Sequence, residues 1–381
     1  MVVFPGRNQS DHSYASFIMA QKLFTEAKLG SLTLQNHIVM APMTRNRATA
    51  DHIPTDIMAT YYAQRASVGL IISEGVGQSR NGEGNARIPG IHNALQVEAW
   101  KKVTAAVHAK GGKIFAQLMH TGRIGHSLHL GDNAEVVAPS ALAAAGEIFT
   151  EEGMAPHPTP RALTADEVRK TIQEFVQASI NAIDAGFDGV ELHGANGYLI
   201  EQFISPDSNQ RTDEYGGNIE NRSRFLLEIA EAAGQDIGLD KVGVRLSPYG
   251  VFNDIKPYAE VDETYTYIAR KLNEIGVVYI HLVDHTSMGA PAVPEQIVKA
   301  IREAYTGTLI LSGGYDAQQA EAALESGVAD LIAFGRPILA NPDFVERLKT
   351  DAELNQPDYT TLYTPGEKGY TDYPVLEAAN A

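Results

Sequence analysis

Ile38-Val39-Met40-Ala41-Pro42-Met43-Thr44 is the first stretch of the 381-residue chain from which a fold can be read. Its start is apolar throughout rather than alternating, as a strand covered on both faces of a parallel sheet must be. It ends in Pro-Met-Thr, whereas a dinucleotide-binding doubly wound sheet carries Gly-x-Gly-x-x-Gly directly after its first strand. Similar apolar runs recur at Leu70–Glu74, Lys113–Leu118, Gly189–His193, Val242–Ser247, Val277–Val283, Thr308–Ser312 and Leu331–Gly335. With Ile38–Met43 they make eight. Eight β-then-α units close a barrel, so the expected fold is α/β, a single (β/α)8 TIM barrel, in preference to an open doubly wound sheet.

Between the runs the period becomes helical. Thr164-Ala165-Asp166-Glu167 is a capping box ahead of Val168, Ile172, Phe175 and Val176, which share one face. Val97, Trp100, Val103 and Val107 form another apolar stripe. Two connections are longer than ordinary βα loops: about Met119 to Leu163 after the third strand, and about Ala195 to Glu220 after the fourth. Both leave carboxyl ends of strands, where barrel enzymes keep their chemistry. The first reads as a lid-like excursion containing a hairpin, against the competing reading of a disordered insertion. Residues 1–20 read as a poorly ordered N-terminal extension, and the tail after Thr350 is expected to share that character. Residues 21–381 read as one barrel domain.

Composition narrows the function. Apolar residues make up 44% and charged residues 20%, which suits a globular protein. A net charge of −17 without a basic cluster disfavours nucleic acid. The chain has no cysteine, which excludes a disulfide, a thiolate metal site, an iron–sulfur cluster and a cysteine nucleophile. No apolar run reaches the ~20 residues of a membrane span, and no signal-peptide core is visible. The expectation is a cytoplasmic protein that does not engage membranes.

In a barrel, polar residues at carboxyl strand ends converge on one mouth. Here they include Thr44, Glu74-Gly75, Gln117, the His193-Gly194-Ala195-Asn196-Gly197-Tyr198 segment, Arg245, His281 with Asp284, Gly313-Gly314 and Gly335-Arg336. Glycines after the seventh and eighth strands let backbone N–H groups approach a phosphate, and Arg336 adds a bidentate donor. His193 and Asn196 could both donate to one ligand oxygen, with Tyr198 delivering a proton. A zinc site at His193 lacks acidic or sulfur ligands nearby, so no metal is expected. Arg245 lies inside an apolar strand and needs an anionic partner, either a barrel carboxylate such as Glu191 or Glu74, or a ligand. Asp284-His285 lacks the nucleophile-elbow serine of a hydrolase.

Taken in order, these segments resemble the Old Yellow Enzyme family of FMN-dependent ene reductases. The resemblance is carried by Leu34–Arg45, His193–Tyr198, Asp213-Glu214-Tyr215-Gly216-Gly217-Asn218, Arg245-Leu246-Ser247-Pro248, Ser312-Gly313-Gly314-Tyr315, Phe334-Gly335-Arg336-Pro337 and Gly369–Pro374. It implies that Pro42, Met43 and Thr44 line the isoalloxazine of a non-covalently bound FMN. Gly75 offers it a backbone contact, Gln117 meets its pyrimidine edge, and Arg245 lies near N1 and O2. Gly314, Gly335 and Arg336 take the phosphate. The resemblance further implies that NAD(P)H reduces the flavin and that an α,β-unsaturated carbonyl then accepts hydride at its β-carbon. His193 and Asn196 would hold the carbonyl oxygen while Tyr198 protonates the α-carbon. Small activated alkenes are the implied partners, and the implied assembly is a monomer or small homo-oligomer. One departure is local: Asn85 follows Gly84 where the family often has an aromatic. Two other readings compete. A flavin-free barrel lyase or isomerase would need a strand lysine, and the only one, Lys113, lies at the wrong strand end. A flavin-holding sensor would keep Arg245 and Arg336 without needing Tyr198.

Overall fold

Eight parallel strands close into a barrel: β1 (Ile38–Met40), β2 (Leu70–Gly77), β3 (Ile114–Met119), β4 (Gly189–Gly194), β5 (Val242–Leu246), β6 (Tyr279–Val283), β7 (Thr308–Ser312) and β8 (Leu331–Phe334). β8 returns to pair with β1 through Ile332↔Ile38 and Phe334↔Met40. These are the eight apolar runs, shifted only at their ends. The computed structural model describes residues 21–150 and 152–376, so the expectation for residues 1–20 lies outside the described residues.

The interior follows the two-residue strand period, because alternate side chains point into the barrel. A short hairpin, Ala27–Leu29 with Leu32–Leu34, joins the lower end of the barrel interior, its Leu29 and Leu34 buried with Val39, Leu70, Phe115, Tyr279, Ile310 and Leu331. The hairpin had no counterpart in the sequence reading. Gly189 and Gly243 make this layer possible, since a Cβ at either would overlap the ring of Phe115 or Tyr279. Two residues further along the strands the interior turns polar, at Gln117, Glu191, His281 and Ser312. Register brings those positions together: Glu191 pairs with Gln117, His193 with Arg245, and Arg245 with His281.

Helices cover the outside. The longest, Ala165–Asp184, starts at the expected capping box, with Glu167 N–H donating to Thr164 Oγ1 at 3.2 Å and Thr164 N–H to Glu167 Oε2 at 2.8 Å. Its Val168, Ile172, Phe175 and Val176 are buried, as are Trp100, Val103 and Val107 of helix Ala94–His108. The excursion after β3 contains the expected hairpin, Glu147–Thr150 against Gly153–Pro156. The connection after β4 holds a further helix, Leu199–Ile204.

The tail corrects an expectation. Up to residue 376 it is packed rather than loose. Tyr370 is fully buried and stacks on Tyr61 with centroids 4.0 Å apart. Arg45, Arg47 and Arg65 grip the carbonyls of Gly369, Thr361 and Tyr370 at 2.6, 2.9 and 3.3 Å. Guanidinium–carbonyl bonds and cation–π contacts supply what apolar periodicity would otherwise have announced.

Candidate active site

A cavity of about 480 Å³ opens at the carboxyl ends of the strands. Pro42, Met43, Thr44, Gln117, His193, Asn196, Tyr198, Arg245, Gly314, Gly335 and Arg336 all line it. Gly75 does not. It sits one layer back, where a Cβ would come within 2.8 Å of Met119 Sδ, and Met119 lines the cavity in its place. Between residues 119 and 163, Met119 alone among the described residues is part of the lining, so the hairpin excursion stands beside the cavity. The mouth is bounded instead by the tail, through Tyr359, Leu362 and Tyr363.

Glu191 organises the polar layer beneath the cavity. Its carboxylate accepts from Gln117 Nε2 at 2.8 Å and Tyr279 OH at 3.0 Å, and lies 2.8 Å from His281 Nδ1. Burial opposes ionisation, yet His281, Arg245 and these donors bring its carboxyl below the usual range. Because a carboxylate only accepts, the Gln117 amide must face it with its NH2, leaving Oε1 for a donor on a bound group. Arg245 forms a contact ion pair with neither Glu191 nor Glu74 in the structure. Glu191 supports its charge through space while burial lowers its pKa, and its Nε is buried without a hydrogen-bond partner. Glu74 faces outward instead, taking bonds from Arg45 N–H at 3.2 Å and Tyr62 OH at 3.3 Å, with burial pushing it up to about 7.

Two polar atoms at the mouth are also unsatisfied. His193 Nδ1 and Asn196 Oδ1 are buried without partners. Burial, reinforced by Arg245, drives His193 well below its ordinary value, so it is neutral at pH 7. Burial raises the Tyr198 phenol, while hydrogen bonds from the side chains of Asn85 and Asn253 pull the other way. Sequence reasoning missed those two amides, although Asn85 was marked as a departure. It also missed Phe252, and weighed His285 only as half of a hydrolase dyad; their rings meet at 4.4 Å on the cavity wall. Both come from loops with no local signature. Among the described residues no group of His, Asp or Glu could hold a metal ion.

The cavity suits a flat, polar, phosphate-bearing group. An orphaned guanidinium nitrogen, a free amide oxygen and two unpartnered mouth atoms lie over the barrel interior. Glycines 313 and 314, at positive φ, and Gly335 with Arg336 lie at the phosphate end. Arg336 reaches Ser287 Oγ at 3.2 Å. A (β/α)8 barrel with such a mouth has the fold and the donor set that a flavin-dependent oxidoreductase would use.

The family follows from comparison. Residues 22–355 match the NADH:flavin oxidoreductase / NADH oxidase family, and the chain belongs to it, the family of Old Yellow Enzyme. It is 43% identical to a probable flavin mononucleotide-dependent alkene reductase of Leishmania infantum, over 91% of this chain and 96% of that protein. It is 40% identical to 12-oxophytodienoate reductase 7 of Oryza sativa subsp. japonica, over 93% of this chain and 94% of that one. In structure it is similar to morphinone reductase, with a TM-score of 0.91 and 43% identity, covering 95% of this chain and 98% of that one. The Old Yellow Enzyme homologue of Zymomonas mobilis gives a TM-score of 0.89 at 43% identity, covering 93% and 100%. The chain is therefore an FMN-dependent oxidoreductase of the alkene-reducing kind.

Proposed function

We propose that this cavity reduces small activated alkenes, α,β-unsaturated carbonyls above all, with His193, Asn196 and Tyr198 as the groups that touch substrate. The observation that carries the reading is that Arg245 Nε and His193 Nδ1, both buried without partners, line one cavity together with Asn196 and Tyr198. FMN, when bound here, would supply the hydride chemistry, with NADH or NADPH as the source of reducing equivalents. Gln117 and Arg245 would hold its ring edge, Pro42, Met43 and Thr44 its face, and Gly314, Gly335 and Arg336 its phosphate.

His193 and Asn196 fix the carbonyl oxygen and stabilise the negative charge that develops on it, as an oxyanion hole does. A neutral His193 does this as a hydrogen-bond donor. Tyr198 then delivers its proton to the α-carbon, and the side chains of Asn85 and Asn253 support the phenolate left behind. Tyr363 and Leu362 of the tail shape the side from which substrate enters.

No helix among the described residues is long and apolar enough to cross a membrane. We place the protein in the cytoplasm as a monomer or small homo-oligomer acting on free small molecules. The test is spectroscopic. Anaerobic NADH or NADPH should bleach the FMN-loaded protein, and 2-cyclohexenone should restore its colour. Bleaching without recolouring would favour a flavin-holding sensor over an alkene reductase.

A further inference from the structure

We propose that Glu201 is a positioning residue for alkene reduction, its buried carboxylate holding the Asn196–Tyr198 loop in the geometry that presents both substrate donors. The inference rests on the roles given above to Asn196 and Tyr198.

The loop is conformationally demanding. Asn196 and Gly197 both lie in the left-handed region, at φ 60° and 74°. A residue with a Cβ enters that region against steric resistance, so the contacts around it help to hold it there. Glu201 lies beneath, only 1% exposed, on the short helix Leu199–Ile204. Gly197 N–H donates to Glu201 Oε2 at 2.6 Å. Asn196 N–H donates to Ser247 Oγ at 3.0 Å, and Ser247 O–H donates onward to Glu201 Oε1 at 2.8 Å. Tyr265 OH takes the same oxygen at 2.8 Å. Two backbone N–H groups of the loop thus end on one carboxylate, directly and through a serine. The carbonyls are held as well, Asn196 O by Asn253 Nδ2 at 2.7 Å and Gly197 O by Gln202 Nε2 at 2.8 Å.

Among the described residues no cation is paired with Glu201. A buried carboxylate without one is a costly way to fill space. What it supplies, and an amide does not, is acceptor-only chemistry toward three donors. Burial raises its pKa to about 7. The groups facing it are Ser247 beyond β5 and Tyr265 on helix Val261–Ile275, with Tyr258 beside them. Arg222 and Glu260 lie beyond Tyr258, paired with each other at 2.9 Å. Protonated Glu201 would meet a ring of donors with a donor of its own, so one of the bonds from Gly197, Ser247 and Tyr265 would have to break or reverse.

The experiment compares FMN-loaded wild type with Glu201→Gln, which keeps the shape but turns an NH2 toward donors, and Ser247→Ala, which cuts only the Asn196 arm. 4-Chlorophenol, whose phenolate mimics an enolate, is titrated by flavin absorbance at pH 8. Reoxidation of the reduced protein by 2-cyclohexenone is followed from pH 5.5 to 8.5. Both variants should bind the phenol about tenfold more weakly, the size of one lost hydrogen bond, while FMN content and melting stay near wild type. Wild-type reoxidation should slow as pH falls through about 7, and Glu201→Gln should lose that inflection while Ser247→Ala keeps it. Wild-type behaviour in both variants would overturn the proposal. So would an inflection surviving in Glu201→Gln, since it would then belong to another group, such as Glu74. Should Glu201→Gln fail to fold, unchanged phenol affinity in Ser247→Ala overturns it alone. A wild type that neither binds the phenol nor is reoxidised refutes the functional reading itself, and this inference with it.

Discussion

For the role proposed for Tyr198, the acid must be protonated when substrate arrives and must leave a tolerable anion behind. Burial secures the first by raising the phenol, and the Asn85 and Asn253 side chains serve the second. Tyr198→Phe should therefore slow single-turnover alkene reduction by ~100-fold or more, the usual worth of a positioned general acid, while nicotinamide still bleaches the flavin at a near-normal rate. Equal loss in both half-reactions would remove the proton-donor role. Arg336 is tied by one bond to Ser287 and is otherwise available to a phosphate. Arg336→Ala should weaken FMN binding by roughly 10–100-fold, the range of a lost charge-assisted bond, read by flavin fluorescence quenching on titration. Most of these residues were legible in sequence because strand ends of a barrel converge whatever the loops do. Gly75 is the one that does not line the cavity, because whether a glycine faces a cavity or makes room for Met119 depends on a side chain from the next strand.

Elements differ in how openly they declare themselves. The strands showed because each is apolar on both faces, and the helix at Ala165 because its cap and stripe are local. The tail did not, because its anchors are arginines more than 300 positions earlier: Arg45 to Gly369 spans 324 residues and Arg47 to Thr361 spans 314. Nothing in a short window reports such a partner. Tyr370 sits at the centre of this clasp, with the Arg47 guanidinium 4.7 Å from its ring. Tyr370→Ala should cost ~3–5 kcal/mol, as loss of a buried aromatic does, and should open the segment after Thr350 to limited proteolysis. Because Leu362 and Tyr363 border the cavity, KM for 2-cyclohexenone should rise with FMN content unchanged. A tail that stays protease-resistant would mean that the arginine–carbonyl bonds hold it without the stacked ring.

Across the whole molecule, two sets of buried titratable groups pull stability in opposite directions with pH. His120, His193, His281 and His285 are all lowered by burial, His120 to about 3 and His285 to about 4. Unfolding lets each take up a proton below about pH 6.5, so their contribution is complete above that value and is lost as pH falls. Glu74 and Glu201 are raised to about 7, so unfolding releases their protons between about pH 4.5 and 7, and their contribution declines as pH rises. In the window where both act, four uptakes oppose two releases. Net uptake is about two protons near pH 5, a stability rising by roughly 2–3 kcal/mol per pH unit there, and it shrinks toward pH 6.5 as the unfolded imidazoles lose their protons. Urea unfolding at fixed excess FMN measures that slope, since ligand concentration otherwise shifts the midpoint. A flat or inverted profile would mean that the four imidazoles are protonated in the folded state. Glu74→Gln separates the two sets: it deletes one release and should steepen the rise by about one proton, whereas a slope unchanged by it would place the Glu74 proton outside the folding equilibrium.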